Sequence, residues 1–255
     1  MSFADGKILM TVADGIGLVT FNNPARRNAM SLDMWDGLSA ALTALAADAS
    51  VRVLVLTGAG GQAFVSGADI SQFGAARADA EAQRHYDRQT SAGRAMLAAF
   101  PHPVIARIGG FCLGGGLAIA LQADLRIASD AASFGIPAAR LGLAYSAAMV
   151  RQLVSVVGPA HARMLLYTGS RIDAQEARRI GLVNRVVAAT ALTAEVDTLA
   201  RSIADNAPLS VRAAKLAVAE DARAAAAIAA CFDSADYREG RAAFAEKRAP
   251  RFTGT

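Results

Sequence analysis

The sequence GGFCLGGG at residues 109–116 is flanked by two apolar segments, residues 104–108 and residues 117–122. The first segment is rich in β-branched residues and predicts a buried strand, and the second predicts a short buried helix. A triple glycine at the entrance to a helix lets the backbone pass close to a ligand and directs unsatisfied N–H groups toward it. Tight turns and close helix packing use glycines in the same way, and spacing alone favours that structural interpretation.

A second glycine-bearing segment, AFVSGADI at residues 63–70, follows the sequence VRVLVL at residues 51–56, which predicts another buried strand. Two such turns that converge on one point can direct backbone N–H groups at a single oxygen atom. Stabilisation of a developing oxyanion in this way is typically the largest single contribution to catalysis. The two segments together therefore indicate a candidate oxyanion hole.

Strand and helix signals alternate in the first third of the chain. Asp14-Gly15 predicts a hairpin turn between strands at residues 8–12 and 17–21, and Ser31 is a natural N-cap for an amphipathic helix. Later segments predict a helix at 79–100, strands at 125–128 and 183–187, and helices at 147–157, 160–167, 173–180, 191–206, 209–219 and 223–237. This order predicts an α/β core with a helical C-terminal extension.

The composition excludes several classes of protein. Of the 255 residues, 54% are hydrophobic and 19% are charged, as in a well-buried globular protein. The formal net charge is +4, and the lysines and arginines form no dense basic stripe. This distribution argues against nucleic-acid binding, while the modest positive charge suits a small phosphate-bearing ligand. Cys112 and Cys231 are far apart and outside any CxxC pair, so no disulfide framework or metal site is expected. Neither a secretion signal nor a membrane span is recognisable, so we expect a cytoplasmic protein that does not contact membranes.

An ordered set of motifs resembles the crotonase, or enoyl-CoA hydratase/isomerase, superfamily across almost the whole chain. Besides the two glycine-bearing segments, the set contains PARRNA at 24–29, GLV at 181–183, DYREG at 236–240 and FAEKR at 244–248. The resemblance implies a spiral of ββα units at residues 1–195 and a C-terminal helical trimerisation region at residues 196–255. It further implies a homotrimer or hexamer that acts, as a lyase or isomerase of fatty acid metabolism, on an acyl-CoA thioester. Coenzyme A would arrive as part of that substrate, without any other cofactor or metal.

The resemblance also assigns roles to individual residues. The oxyanion-hole donors would be the backbone N–H groups of Ala68 and Gly115. Coenzyme A would lie around Arg26 and against the backbone near Ser66, Ala68 and Ile70. Phe244 and Lys247 match positions that reach coenzyme A from a neighbouring subunit, where a lysine supplies a cation for phosphate groups.

Two positions depart from the pattern of the family. Members that hydrate enoyl-CoA use two glutamates as general acid and base, and the corresponding residues in this chain are Ala118 and Ala138. Alanine cannot move a proton. Decarboxylation or isomerisation is therefore at least as well supported as hydration, and an acyl-CoA-binding protein with weak or no turnover is the alternative.

Tyr145 is the strongest candidate for a further functional side chain in the acyl pocket. Members that resemble methylmalonyl-CoA decarboxylase carry a tyrosine at this position, although they have a histidine where this chain has Ala68. A phenol with a pKa near 10 is a poor base at neutral pH and a good hydrogen-bond donor. It could orient a carboxylate for the loss of carbon dioxide, or it could be a packed aromatic residue. Ser146 is a weaker candidate.

Several other polar residues are compatible with either a functional or a structural role. His85 and Tyr86 fall in a segment that covers the acyl pocket in this family, but a solvated helix face is the simpler reading. Arg140 contacts either a substrate carboxylate or only a helix surface, and Asp69 is expected to fix the loop through a hydrogen bond.

A nucleotide-binding domain, with a phosphate loop at residues 58–61 (GAGG), is a third hypothesis for the whole chain, but that run lacks the full GxGxxG spacing.

Overall fold

The computed structural model describes residues 1–69 and 80–255. Its strands are β1 Ser2–Phe3, β2 Ile8–Ala13, β3 Ile16–Phe21, β4 Val53–Gly58, β5 Ala63–Val65, β6 Val104–Ile108, β7 Phe111–Leu113, β8 Leu125–Ser129, β9 Ser133–Gly135, β10 Arg171–Asp173 and β11 Arg185–Val187. Its α-helices are α1 Leu32–Ala47, α2 Ala80–Ala98, α3 Gly115–Ala120, α4 Ala147–Thr168, α5 Ala174–Arg179, α6 Leu192–Ala204, α7 Pro208–Val218, α8 Ala224–Asp233 and α9 Ala235–Glu246. Short 3₁₀ helices occupy Pro24–Arg26 and Pro137–Leu141.

The strands form two sheets. The large sheet has 7 strands in the order β1-β2-β3-β4-β6-β8-β11, and the small sheet has 4 strands in the order β10-β9-β7-β5. Strands β3, β4, β6, β8 and β11 pair in parallel, as do β5, β7 and β9. The pairs β4–β5, β6–β7 and β8–β9 each give one strand to each sheet before the next helix. This repeated ββα arrangement confirms the predicted fold class.

The core lies between the sheets and the helices that cover them. Its largest fully buried side chains include Phe21, Phe64 and Phe134, and the rings of Phe21 and Phe64 meet edge to face with centroids 5.5 Å apart. On the other face of the large sheet, Val196 and Ala200 of α6 join a second apolar cluster. Residue 195, where we predict the boundary of the C-terminal region, lies within α6, and that division stays a prediction.

The C-terminal helices differ from the sequence-based expectation. The prediction of a single helix at residues 223–237 is wrong. Helix α8 ends before Ser234, and a separate helix, α9, begins after it and continues to Glu246. The Ser234 hydroxyl accepts a hydrogen bond of 2.9 Å from the N–H of Tyr237, and it thereby caps α9. The break predicted between residues 157 and 160 is confirmed, since Gly158 in α4 has φ 73° and ψ 165°.

At the start of α1, Ser31 occupies the N-cap position as predicted, but its side chain makes no capping hydrogen bond. Within the described ranges, no helix combines the length and the apolar character that crossing a bilayer requires.

Candidate active site

A cavity of about 530 Å³ opens where the small sheet meets α2, α3 and the segment around the second 3₁₀ helix. Its lining residues are Met30, Trp35, Ser66, Gly67, Ala68, Tyr86, Asp87, Thr90, Ser91, Arg94, Gly114, Gly115, Pro137, Ala138, Leu141, Leu143, Ala144, Tyr145, Ser146 and Met149. The two glycine-bearing segments of the sequence therefore contribute to one wall of the same cavity.

The topology of the small sheet explains why the two segments meet. Strands β5 and β7 are parallel neighbours, with Val65 paired to Cys112. Because the carboxyl ends of parallel strands lie at the same edge of a sheet, the loops that follow Val65 and Leu113 emerge side by side. A β-carbon placed on Gly115 would lie 3.6 Å from the backbone nitrogen of Ala68. The two predicted oxyanion-hole residues are thus in contact.

The backbone of Ala68 is oriented by a single bridge to Met30. The N–H of Met30 donates to the carbonyl of Gly67 at 2.8 Å, and the N–H of Asp69 donates to the carbonyl of Met30 at 2.9 Å. Successive backbone N–H groups of an extended segment point to opposite sides. Since Asp69 donates toward Met30, the N–H of Ala68 points away from Met30. Over the described part of the chain no acceptor is found for this N–H.

Gly115 offers a second N–H group to the same wall. It is the first residue of α3, and Gly114 before it has φ 51° and ψ −119°, a conformation that favours glycine. The first N–H groups of a helix have no partner within the helix. None of the described residues accepts a hydrogen bond from the N–H of Gly115. Two adjacent N–H donors therefore remain available at the cavity wall.

The hydroxyl of Tyr145 lies against the glycine turn. It lies 3.9 Å from the point where a β-carbon on Gly114 would be. Its oxygen is buried and has no hydrogen-bond partner among the described residues. Burial raises the pKa of Tyr145 above its usual value, so the phenol is neutral at physiological pH and acts as a donor.

One face of α2 supplies a polar wall that the sequence motifs did not single out. Its lining residues are Tyr86, Asp87, Thr90, Ser91 and Arg94, whose spacing of i, i+1, i+4, i+5 and i+8 places them on one side of a helix. We identified Tyr86 from the sequence but missed Thr90 and Arg94. The helical spacing of these polar residues was the available signal.

Arg94 is half-buried in this wall and stacks on a residue from α1. Its guanidinium carbon lies 5.6 Å from the centre of the Trp35 ring, and its Nη2 donates to the hydroxyl of Ser91 at 3.1 Å. Burial is the main reason that the pKa of Arg94 is lowered, and the nearby Tyr86, Tyr145 and Asp87 act in the opposite direction. The guanidinium still carries its charge, because an arginine pKa starts above 12.

Comparison with known proteins assigns this chain to a family. Residues 11–255 match the family model described as enoyl-CoA hydratase/isomerase. The chain belongs to this family. The resemblance inferred from the sequence is therefore confirmed.

Relatives cover nearly the full length of this family member. The putative enoyl-CoA hydratase/isomerase YngF of Bacillus subtilis is 36% identical over 97% of this chain and 98% of its own length. The crotonyl-CoA hydratase of Syntrophomonas wolfei is 35% identical over 96% of this chain and 97% of its own length. The crystal structure of an enoyl-CoA hydratase/carnithine racemase from Magnetospirillum magneticum superposes with a TM-score of 0.94 at 39% identity, covering 98% of this chain and 96% of that one.

The two alanines that the sequence resemblance aligns with the hydratase glutamates have different surroundings in this enoyl-CoA hydratase/isomerase family member. Ala118, on α3, is 2% exposed and is not among the lining residues, whereas Ala138, in the second 3₁₀ helix, lines the cavity. Of the described lining residues, only Asp87 carries a carboxylate. The described wall is therefore richer in hydrogen-bond donors than in groups that remove protons.

The predicted coenzyme A contacts are only partly adjacent to the cavity. Ser66 lines it, and the Ser66 hydroxyl lies 3.4 Å from the carbonyl of Arg26. Arg26 itself forms a salt bridge of 3.3 Å with the buried carboxylate of Asp69, which agrees with the loop-fixing role expected of Asp69. Ile70 lies outside the described residues.

Phe244 and Lys247 lie at the end of α9, away from the cavity of their own chain. Phe244 is 88% exposed, and Lys247 has the left-handed conformation that ends the helix. Their predicted contact with coenzyme A across a subunit interface stays a prediction.

Three of the remaining candidates have structural explanations. Ser146 caps α4, since its hydroxyl accepts from the N–H of Met149 at 3.4 Å, although it also lines the cavity. Arg140 does not line the cavity; its Nε donates to the carbonyl of Thr168 at 3.1 Å. His85 is exposed on α2 outside the lining set.

The phosphate-loop hypothesis for residues 58–61 is wrong. A β-carbon on Gly58 would lie 2.1 Å from the carbonyl oxygen of Ala63, so this glycine serves close backbone packing. The segment connects β4 to β5 rather than a strand to a helix, and the helix N-terminus that a phosphate loop requires is missing at this point.

Proposed function

We propose that this protein binds an acyl-CoA thioester in the cavity and stabilises its enolate with the backbone N–H groups of Ala68 and Gly115. The observation that carries the proposal is the contact between these residues, whose N–H groups face one cavity and have no acceptor within the described chain. Donors that are fixed before the reaction need no reorganisation when negative charge develops on the thioester oxygen. One such donor typically contributes about 3–4 kcal/mol to transition-state stabilisation.

The side chains around the hole favour a reaction that starts without a general base. Ala118 and Ala138 cannot take a proton, and the phenol of Tyr145 is held neutral. In a malonyl-type thioester, breakage of the bond between the α-carbon and the carboxylate releases carbon dioxide. The electron pair of that bond moves into the thioester to form the enolate, and the α-carbon then takes a proton from water. Tyr145 would donate a hydrogen bond that holds the carboxylate out of the thioester plane.

Isomerisation passes through the same enolate but requires a group that removes a proton first. Asp87 is the carboxylate that the described wall offers for this step. Hydration is the reaction named for the Syntrophomonas wolfei relative, and it would have to proceed here without glutamates at positions 118 and 138. The two alanines also favour a second candidate, an acyl-CoA-binding protein without turnover.

Coenzyme A would lie along Arg26, Ser66 and the backbone at Ile70, with Phe244 and Lys247 of a neighbouring subunit completing its site in a homotrimer or hexamer. The substrate itself brings the coenzyme, so the proposal involves no further cofactor and no metal. We place the protein in the cytoplasm.

A mass-spectrometric screen of enoyl-, malonyl- and hydroxyacyl-CoA thioesters tests the proposal. We expect loss of carbon dioxide from a malonyl-type thioester, and conversion of an enoyl thioester would instead identify isomerisation or hydration. Tight binding without conversion of any thioester would leave the acyl-CoA-binding alternative. Absence of both binding and conversion would overturn the proposal.

A further inference from the structure

The α2 face of the cavity presents a positive charge that forms no salt bridge with a carboxylate of the described chain. Arg94 lines the cavity and forms no salt bridge with any described residue. Asp87 lines the same wall about two helical turns before Arg94 on α2, and the two side chains form no salt bridge. An arginine that is half-withdrawn from water and lacks a counter-ion is poised to bind an anion from the cavity.

The protein contacts of Arg94 leave most of its hydrogen-bonding capacity unused. A guanidinium has five N–H groups in a rigid fork, and the described residues accept from it through the Ser91 hydroxyl. The contact with the face of the Trp35 ring uses none of the N–H groups of the guanidinium. A carboxylate is the ligand group whose two oxygens match the free edge of such a fork.

Two other buried donors of the same cavity lack acceptors. The indole N–H of Trp35 has no hydrogen-bond partner among the described residues, although Trp35 is only 2% exposed. The hydroxyl of Tyr145 is likewise unpaired. Buried donors without acceptors are costly, and this part of the protein therefore favours an electronegative group beside the guanidinium of Arg94. A purely hydrocarbon acyl chain would leave the guanidinium of Arg94 without an anionic partner in the cavity.

We propose that Arg94 is a specificity-determining residue that selects acyl groups bearing a free carboxylate, so that the substrates are thioesters of dicarboxylic acids. This inference rests on the proposed function, because it assumes that the acyl group of a thioester enters this cavity. It deepens that function by extending the malonyl-type thioester to the wider class of dicarboxylic acyl groups and by naming the side chain that recognises their free carboxylate.

The test compares CoA thioesters whose acyl group carries a free carboxylate with uncharged acyl-CoA thioesters of equal chain length. Affinities of malonyl-, succinyl- and glutaryl-CoA would be measured against propionyl-, butyryl- and pentanoyl-CoA by calorimetry, with wild-type protein and the Arg94→Gln and Arg94→Lys variants. We expect the wild type to prefer at least one acid over its neutral partner about ten-fold or more, and Arg94→Gln to abolish that preference. Arg94→Lys should retain part of it, because it keeps the charge but loses the fork.

The matched control is Arg88→Gln, which removes an exposed arginine of α2 outside the lining set. It should keep the wild-type preference for carboxylate-bearing thioesters. If Arg88→Gln lowered this preference as much as Arg94→Gln does, the effect would come from the net charge of the protein and the inference would be overturned. Binding of the neutral thioesters reports whether Arg94→Gln is still folded. An acid-to-neutral ratio that is the same in wild type and Arg94→Gln overturns this inference alone. Failure of wild type to bind any thioester overturns the proposed function as well.

Discussion

Gly116 packs its backbone directly against that of Val65: a β-carbon at position 116 would lie 2.0 Å from the carbonyl oxygen of Val65. The contact joins the first turn of α3 to the end of β5. It sets the distance between the two segments that carry Gly115 and Ala68. The third glycine of the run is therefore a packing requirement on which the geometry of the candidate oxyanion hole depends.

We predict that Gly116→Ala destabilises the protein by about 3 kcal/mol and abolishes turnover, because the added carbon meets backbone atoms that cannot move aside cheaply. Urea unfolding and a turnover assay measure the two effects. Gly115→Ala is the control, since its β-carbon would have only ordinary contacts of 3.6 Å or more. A Gly116→Ala variant with wild-type stability and activity would show that α3 need not approach β5 this closely.

The second prediction separates the N–H of Gly115 from its small size. Gly115→Pro removes the N–H at the first helical position, where proline is well tolerated, while Gly115→Ala retains it. We expect Gly115→Pro to lower kcat on the best thioester by about 10²–10³-fold, the usual effect of losing one oxyanion donor. Its free energy of unfolding should remain close to that of Gly115→Ala. Equal kcat values for the two variants would remove Gly115 from the oxyanion hole.

The sequence predicted the parts of this fold that depend on local pattern. The β-branched run at residues 104–108 became β6 with the predicted bounds, and the glycines after it mark the entrance to α3. Strands β5, β7, β9 and β10 are only three residues long, too short for an alternating pattern to identify them. Their pairing brings the two glycine loops together, and that pairing depends on contacts far apart in sequence.

The site was predicted unevenly for a similar reason. Ala68 and Gly115 belong to glycine motifs that are readable from the sequence alone. Arg94 lies on a polar helix, where an arginine that faces a cavity and one that faces solvent, such as Arg88, have the same local pattern. Only the packing of α2 against Trp35 decides which arginine enters the site, and the β-carbon position of Gly93, 2.6 Å from the Trp35 ring, shows how close that packing is.

The third prediction concerns Tyr145. We expect Tyr145→Phe to slow decarboxylation of a malonyl-type thioester about ten-fold or more while leaving the affinity for a neutral acyl-CoA unchanged. The variant should be at least as stable as wild type below pH 10, since it removes a buried hydroxyl that has no partner among the described residues. Single-turnover release of carbon dioxide measures the rate. Unchanged decarboxylation by Tyr145→Phe would assign the tyrosine to packing alone.

The pH dependence of the same variant provides an independent check. Burial raises the pKa of Tyr145, so the folded protein keeps the phenolic proton when the unfolded chain begins to lose it near pH 10. The stability contributed by this group is complete below that pH and decreases as the pH rises further. Wild type should therefore lose stability above about pH 10 more steeply than Tyr145→Phe does.

The fourth prediction concerns Cys112, which lies in β7 beside Val65 and two residues before the glycine turn. Burial raises the pKa of its thiol, so the folded state binds the proton more tightly than the unfolded chain, whose thiol titrates near 8.5. Unfolding is then favoured as the pH rises above that value, by about 1.4 kcal/mol per pH unit.

Urea unfolding of wild type and Cys112→Ala between pH 7.5 and 9.5 measures this contribution. Cys112→Ala should be less stable at pH 7.5, because it leaves a small cavity, yet it should lose less stability over this interval than wild type does. In the folded wild-type protein the thiol should also resist alkylation, since the reactive thiolate is suppressed by burial. Parallel stability curves for the two proteins, or rapid alkylation of Cys112 in the native state, would mean that water reaches the end of β7. The glycine turn beside it would then lie in a more solvated environment than the proposed oxyanion hole requires.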